Sequence, residues 1–469
     1  MYFSIARLFL ILSLFAIAVV STTTLFPFIV GKYAWFRAGV DFALVSLLLG
    51  ILFSSEGETY QKKFIKVVRS PLGIAVGIFV LVFLVSGFLG FDPANSFWSN
   101  FERGEGGAQM IHLYVFFLLL TTLFSTEKGW RKILGYTIFV GFLSSVYGFL
   151  ASYGVSGFIG ASFKNDTGFR FQGSVGNPAY VAVYMIFLLF YITYLLVTAN
   201  KKDLRKNFLE TGAIILTAIL FLVVFYLAAT RGAFLGLLAS FFLVVGYLVF
   251  SHKRLRKPLG IFGAIIVLAV GMLVYFQNSS FVKNLPGSRI FDISFSARTL
   301  GDRTIMWGIA LKSFKERPLL GWGPENFYQI FDRNFDTNYF KPPESFGAWF
   351  DRAHSLVFDY LAETGILGLL SFLGIFITFY YLFFRTAIRS RLSIVAESKN
   401  GIRTEPFLFG SPFVRGLIFA LPIAYLIQGF VLFDVLVTYL NLFLFLAFAN
   451  YHFLSHESLN ESVKKIPTH

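Results

Sequence analysis

The chain has no cysteine and little charge. Without cysteine it can form neither disulfides nor thiolate metal sites, and nothing about compartment follows. Charged residues make up 14% of the sequence, where a soluble globular chain sits nearer a quarter. Some motifs are also missing. There is no Gly-x-x-x-x-Gly-Lys, so no loop of the kind that cradles a nucleotide's phosphates. There is no His-Glu-x-x-His, Asp-x-Asp, Glu-x-Asp or Asp-x-Glu, so metal chemistry has no local signature and no cofactor is expected.

What is present is apolar. Of 469 residues 56% are hydrophobic, with 62 Phe, in repeated runs of about 20 residues. Such runs do not alternate as an outer-membrane barrel requires, so the expected fold class is all-α, a polytopic integral membrane protein. Twelve spans are read: 5–20, 38–54, 71–91, 109–125, 133–151, 179–199, 210–229, 232–250, 259–277, 365–384, 413–430 and 435–454. Ala16-Ile17-Ala18 resembles a signal-peptide cleavage site, but only Arg7 stands near the front of that run, so 5–20 is read as a span. The expected organisation is residues 1–277 as spans one to nine, 278–364 as one large loop, and 365–469 as the last three spans and a tail.

Alternate connecting segments carry the Lys and Arg. Lys62, Lys63, Lys66 and Arg69 lie in one. Lys128, Arg131 and Lys132 lie in the next, then Lys201, Lys202, Arg205 and Lys206, then Lys253, Arg254, Arg256 and Lys257, then residues 385–412. The positive-inside rule puts these segments and both termini in the cytoplasm. The entire formal charge of +15 falls on that side, and the other side balances. The excess is a topology signal and an anchor for anionic membrane lipids, so nucleic acid is not an expected partner.

The longest outer segment, 278–364, is where function has room. Asp302 to Arg317 reads as an amphipathic helix, with Trp307, Ala310, Leu311 and Phe314 at helical spacing and Pro318 beyond its end. It suits the membrane surface or a structural cap on the bundle. Aromatics crowd the stretch that follows: Trp322, Phe327, Tyr328, Phe331, Phe335, Tyr339, Phe340, Phe346, Trp349 and Phe350. They fit sugar or lipid stacking, an interfacial belt, or a local core.

Three polar points stand out. Residues 210–250 would make a helix about 60 Å long, twice the hydrocarbon thickness, so the chain must turn near Thr230-Arg231-Gly232. Arg231 there either snorkels or meets an anion such as a diphosphate, which guanidinium binds bidentately. Arg170 precedes Gly173, Gly176, Asn177 and Pro178, a tight entry into the next helix. The third point is "DRAHSLVFDYLAETGILGLL". If it is helical, Arg352, Asp359 and Glu363 share a stripe, and His354 lines up with Phe358 and Leu361. His354 is either a polar cap or a base, with Asp351 placed to orient its imidazole.

Six segments occur in order along residues 25–375: "FPFIVGKYAWFR", "SFWSNFERGEG", "RFQGSVGNP", "TRGAFLGLL", "RTIMWGIALKSFKERPLLGWGPENF" and "AHSLVFDYLAETGILGLLSFL". As an ordered set on twelve spans they resemble the O-antigen ligase and polymerase family of bacterial membrane glycosyltransferases. The resemblance implies a GT-C-like, metal-independent, inverting enzyme in the bacterial inner membrane, acting at the extracytoplasmic face. Its donor would be a glycan on polyprenyl diphosphate, and its acceptor a glycolipid or glycan hydroxyl. It implies His354 as general base, with Arg231 and Arg170 stabilising the diphosphate. Arg103, Arg303, Trp322, Asn326 and Glu363 are the further candidates for substrate contact. Ser355 follows the histidine where relatives often have Asn. A polymerase of the same family is the near alternative. A lipid-linked glycan flippase is the alternative from another class, but its ionisable groups belong near the midplane, and here they gather at span ends.

Overall fold

In a computed structural model the described residues are all but 101, 165–167, 201–206, 252, 286–287, 292–297, 336, 338–339, 341–348, 401–410 and 465–469. The side chains of 253, 289, 298–300, 302, 388–400 and 458–464 are also outside the description. Of the residues singled out above, Lys201, Lys202, Arg205, Lys206, Tyr339 and Phe346 lie outside the described residues.

Every regular element among the described residues is helical. The helices are α1 (Tyr2–Leu14), α2 (Val30–Phe53), α3 (Gly57–Val68), α4 (Pro71–Phe88), α5 (Pro93–Trp98), α6 (Gly107–Leu123), α7 (Glu127–Ser152), α8 (Pro178–Val197), α9 (Phe208–Leu227), α10 (Arg231–Ser251) and α11 (Arg256–Tyr275). After a single turn at Ser280–Lys283 come α12 (Arg298–Glu316), α13 (Phe327–Arg333), α14 (Leu356–Glu363), α15 (Gly365–Asn400), α16 (Pro412–Gly429) and α17 (Leu436–Lys464). Among the described residues ten helices are long and apolar enough to cross a membrane: α2, α4, α7 to α11 and α15 to α17. Two of the twelve expected spans, the first and the fourth, form shorter apolar helices at Tyr2–Ala18 and Gly107–Leu123. The chain is a multi-pass, all-α membrane protein.

Local sequence sets the helix starts. Pro71, Pro178 and Pro412 occupy the first turns of α4, α8 and α16, where a missing N–H costs nothing. Ser70, Asn177 and Ser411 cap them by accepting from Gly73, Ala179 and Val414. The basic segment 55–70 is itself an amphipathic helix, α3, rather than a loop.

Burial separates the helices. The apolar windows of α8 and α17 are 72% and 89% buried, while that of α11 is 6% buried. The first pair forms the centre, and α11 keeps its apolar surface on the outside, as lipid-facing helices do. Asn441 and Asn450 of α17 are buried and hydrogen-bonded, Asn441 to the Val437 carbonyl and Asn450 to Ser70.

Much of 278–364 builds a small core of its own, including Met306, Ile309, Ala310, Trp322, Phe327, Ile330, Phe331, Ala353 and Ala362. The expected helix is present as α12, but its buried stripe is Met306, Ile309, Ala310 and Ser313. That is turned by about one residue from the expected one, and Leu311 is exposed. The reason is the partner: α12 packs on α14, with Trp307 stacked on Phe358 at 4.9 Å. This unit is stitched to the bundle by backbone bonds. Phe91 donates to the Trp322 carbonyl at 2.7 Å and Leu356 to the Leu432 carbonyl at 3.0 Å, while within the unit Gly323 donates to the Glu363 carbonyl at 2.8 Å. Gly321, at φ +66°, passes so close that a Cβ would lie 2.4 Å from the Glu363 carbonyl carbon.

Candidate functional site

The ends of α4 and α16 and the starts of α6, α14 and α17 meet beneath this unit. Arg352 is the centre of the meeting. It is buried, and its Nη1 donates to both carboxylate oxygens of Glu363, at 2.9 and 3.0 Å. Its Nη2 donates to Glu325 and stands 4.0 Å from Glu105. Asp359 Oδ1 accepts from the Ala353 N–H at 2.6 Å. So Arg352, Asp359 and Glu363 do meet, but not as one helical stripe. The helix begins only at Leu356, and residues 351–355 fold back onto it. Burial opposes the charge on Arg352, but Glu325, Glu363, Asp359 and Asp351 outweigh it and hold the guanidinium protonated. Burial also pushes Glu105 and Glu363 well above the usual carboxylate range, and Arg352 pulls against that in both.

His354 sits next to this knot in the left-handed region, at φ +56°. Its Nδ1 lies 3.1 Å from the Arg352 carbonyl, which can only accept. Nδ1 therefore carries the proton, and the Nε2 lone pair is left for another partner. The ring packs edge-on against Phe350 and Phe433, with centroids 5.0 and 5.1 Å apart. Burial lowers its pKa below the ordinary histidine value. The Arg352 carbonyl works against this, Arg303 adds to it, Asp351 opposes it and Arg103 adds to it. The expected orienting partner, Asp351, is engaged elsewhere: Arg103 binds it through two bonds of 2.7 and 2.9 Å. Burial works against ionisation of Asp351, but the Arg103 bond and charge overcome it and hold the carboxyl below its usual range.

Phe433, between α16 and α17, is the shared surface. Arg103 lies over its ring at 5.0 Å and Arg352 at 5.8 Å, with Tyr180 edge-on at 5.8 Å. Neither Phe433 nor Glu105 nor Glu325 stands out in the sequence by spacing. Glu105 and Glu325 do lie inside two of the quoted segments, and Asp434, an acid breaking an apolar stretch, marks the third.

The turn between α9 and α10 forms as expected, at residues 228–230. Arg170 holds it, donating from Nε to the Ala228 carbonyl at 3.2 Å and from Nη2 to Thr230 Oγ1 at 2.9 Å. Arg231 opens α10, and at Gly232 the backbone presses on Gln428 and Val431, where a Cβ would lie 2.4 Å from Gln428 Oε1. The 428–433 segment thus touches this turn on one side and His354 and Leu356 on the other. Arg170 thus binds the residues just before Arg231, and the 428–433 segment lies between this turn and the His354 region.

The other candidates divide. Arg103 and Arg303 act on His354 through their charge. Trp322 is buried, its indole N–H donates to the Ser313 carbonyl at 3.0 Å, and Arg317 and Arg333 stack over its ring. Asn326 is fully buried and donates to Ser96 and the Trp322 carbonyl, each at 3.0 Å. With Glu363 on Arg352, these three face protein and tie the loop to the bundle.

Between the starts of α2, α8 and α17 lies a cavity of about 200 Å³. Lys32, Tyr33, Arg103, Glu105, Asn177 and Tyr180 line it, so three of the six quoted segments converge there. Backbone strain gathers at the same end. Ser99, Ala229, Glu325 and His354 are the non-glycine residues with positive φ among those described, and Ser99 donates to Glu325 at 2.7 Å. Among the described residues no three His, Asp or Glu side chains converge as a metal site.

A comparison with curated proteins finds no match. Residues 216–373, which carry Arg231, Arg303 and His354, match the family model described as O-Antigen ligase, the family that the ordered motifs resemble.

Proposed function

We propose that the protein transfers a glycan from a polyprenyl diphosphate carrier to an acceptor hydroxyl, at the extracytoplasmic face of the bacterial inner membrane. The observation that carries this reading is the setting of His354: Nδ1 lies 3.1 Å from the Arg352 carbonyl, Nε2 has no hydrogen-bond partner among the described residues, and burial favours the uncharged imidazole. A hydroxyl that attacks a sugar's anomeric carbon must lose its proton, and Nε2 accepts it. The C–O bond to the diphosphate breaks as the new glycosidic bond forms on the opposite side, inverting the configuration. The departing diphosphate takes up negative charge, which Arg231 and Arg170 at the α9–α10 turn stabilise. Arg103 and Arg303 add to the effect of burial, which keeps the imidazole uncharged, and bind the polar head of the substrate. Trp322, Asn326 and Glu363 hold these groups in place.

The test is reconstitution of the purified protein in vesicles with a polyprenyl-diphosphate oligosaccharide and candidate acceptors, without nucleotide or added metal. Glycan transfer is expected, and Arg231→Ala or Arg170→Ala should lower it about 10²–10³-fold with normal membrane insertion. Movement of the lipid-linked glycan across the bilayer without transfer would replace this reading with a flippase.

A further inference from the structure

The carboxylate expected to orient His354 is taken, since Arg103 binds Asp351. The imidazole leans instead on the Arg352 carbonyl, and a carbonyl in an irregular turn orients a ring only if its peptide is itself held. This peptide is held. Its other end is the Ala353 N–H, which donates to Asp359 Oδ1 at 2.6 Å. In a trans peptide the N–H and the C=O lie in one plane and point opposite ways. Fixing the N–H therefore fixes the direction of the carbonyl that meets His354 Nδ1 at 3.1 Å. The left-handed φ of His354 folds the ring back onto that carbonyl, two residues before it.

Asp359 differs from the other acids around Arg352 in what it holds. Glu325 and Glu363 accept from the guanidinium, and Glu105 stands 4.0 Å from it. Asp359 acts on Arg352 through charge, while its Oδ1 goes to the peptide. The guanidinium keeps its two bonded carboxylates without Asp359, so the charge of Arg352 does not account for an acid at this position. The acid is also firmly mounted. Asp359 and Ala353 are 6% and 0% exposed, and the Asp359 N–H donates to the Ser355 carbonyl at 2.8 Å in the first turn of α14. That helix packs on α12 and α15. The bond thus runs from a packed helix to the irregular turn that carries the base, as support for a reacting group should. Phe350 and Phe433 then hold the ring edge-on.

We infer that Asp359 is the positioning residue of His354, acting through the Arg352–Ala353 peptide rather than on the ring. The inference rests on the transferase reading and adds to it the group that aims the base. As Nε2 takes the acceptor's proton, Nδ1 keeps its own and the imidazole becomes positive. The Arg352 carbonyl faces that charge, and an acceptor oxygen on the far side of the same peptide polarises it in the favourable sense. What this requires of Asp359 is position: an oxygen 2.6 Å from the Ala353 nitrogen, which a side-chain amide also offers.

The experiment compares Asp359→Ala and Asp359→Asn with the unmodified protein in the vesicle transfer assay, with rates taken per monodisperse protein. Asp359→Ala should lower kcat about 10²-fold, with KM for donor and acceptor unchanged. Its pH profile should change too. Burial lowers the His354 pKa and the Arg352 carbonyl is the first influence against it, so a carbonyl turned away moves the acid limb to lower pH. Asp359→Asn keeps the oxygen and should restore most of kcat and the original limb. If Asp359→Ala does not fold, Asp359→Glu, which keeps the charge and displaces the oxygen, is read in its place. An unmoved limb in that variant, whatever its rate, overturns the inference. So does an Asp359→Asn protein as slow as Asp359→Ala, which would make charge the agent. Both results leave the transferase reading standing, whereas no transfer by the unmodified protein overturns both.

Discussion

Two histidines near the same end of the bundle are held alike on one nitrogen and differently on the other. His112, in α6, has Nδ1 2.6 Å from the Ala108 carbonyl and Nε2 3.1 Å from Asp41 of α2. His354 has Nδ1 on the Arg352 carbonyl, and its Nε2 has no hydrogen-bond partner among the described residues. The first imidazole is a clamp between two helices, with both nitrogens used. The second is anchored on one side and presents a lone pair on the other, which is what a base needs. Their charged surroundings differ in the same sense: a carboxylate meets His112 directly, whereas the carboxylate nearest His354 in sequence, Asp351, is taken by Arg103.

The widest separation between the two should appear in turnover. His354→Ala is expected to lower glycan transfer about 10²–10⁴-fold, the range a general base supplies, with unchanged protein level. His112→Ala should leave transfer within a few-fold and act on stability instead. Equal losses of transfer in both variants would break the distinction and remove His354 from the chemistry.

Next comes the anchor. His112 takes its carbonyl from its own helix, so its support is helical geometry. His354 takes its carbonyl from Arg352, in an irregular turn held in shape by Glu325, Glu363 and Asp359. Arg352→Ala leaves these buried carboxylates without their cation, and breaking such a buried pair costs about 3–5 kcal/mol. The expected outcome is a large fall in thermal stability in detergent, with transfer lost even in the folded fraction. A variant that melts normally would mean that the carboxylates take up protons and the turn does not depend on the guanidinium.

How far this arrangement could be read in advance differs by element. The spans are legible because a bilayer imposes about 20 apolar residues on each, and the α9–α10 turn because residues 210–250, with only Glu210 and Arg231 charged, are too long to form one span. The grouping of Arg352 with Asp359 and Glu363 is legible too, but not the path that produces it. Helical spacing puts them on one stripe, whereas the chain is irregular up to Ser355 and doubles back. His354 at φ +56° is the point at which the helical reading fails, and no side-chain pattern announces a left-handed histidine. Asp351 illustrates a second limit. Its spacing from His354 suits an orienting pair, but its partner Arg103 lies 248 residues away. Glu105, Glu325 and Phe433 also arrive from distant segments, and their convergence is set by helix packing, which leaves no local period. Trp322 and Asn326 lie in a segment the family resemblance marks, and their burial, invisible in sequence, turns them toward protein.

The finest distinction concerns the proton itself. If Nε2 of His354 accepts the acceptor's proton, transfer falls on the acid side as the imidazole becomes protonated. Burial is the main reason its pKa lies below the ordinary value, so that fall belongs below the usual histidine range and transfer is level at neutral pH. Arg303 contributes in the same direction, since a nearby cation disfavours a second positive charge. Arg303→Gln removes that cation, stabilises the imidazolium and should move the acid limb to higher pH. Asp351→Asn removes a carboxylate that favours the imidazolium, so it should move the limb to lower pH. Both displacements are small, because burial, the main cause, is untouched. The measurement is the pH profile of transfer under saturating donor for the unmodified protein and the two variants. Shifts of opposite sign identify the titrating group as His354, whereas a limb that stays in place in both variants assigns the proton to another residue.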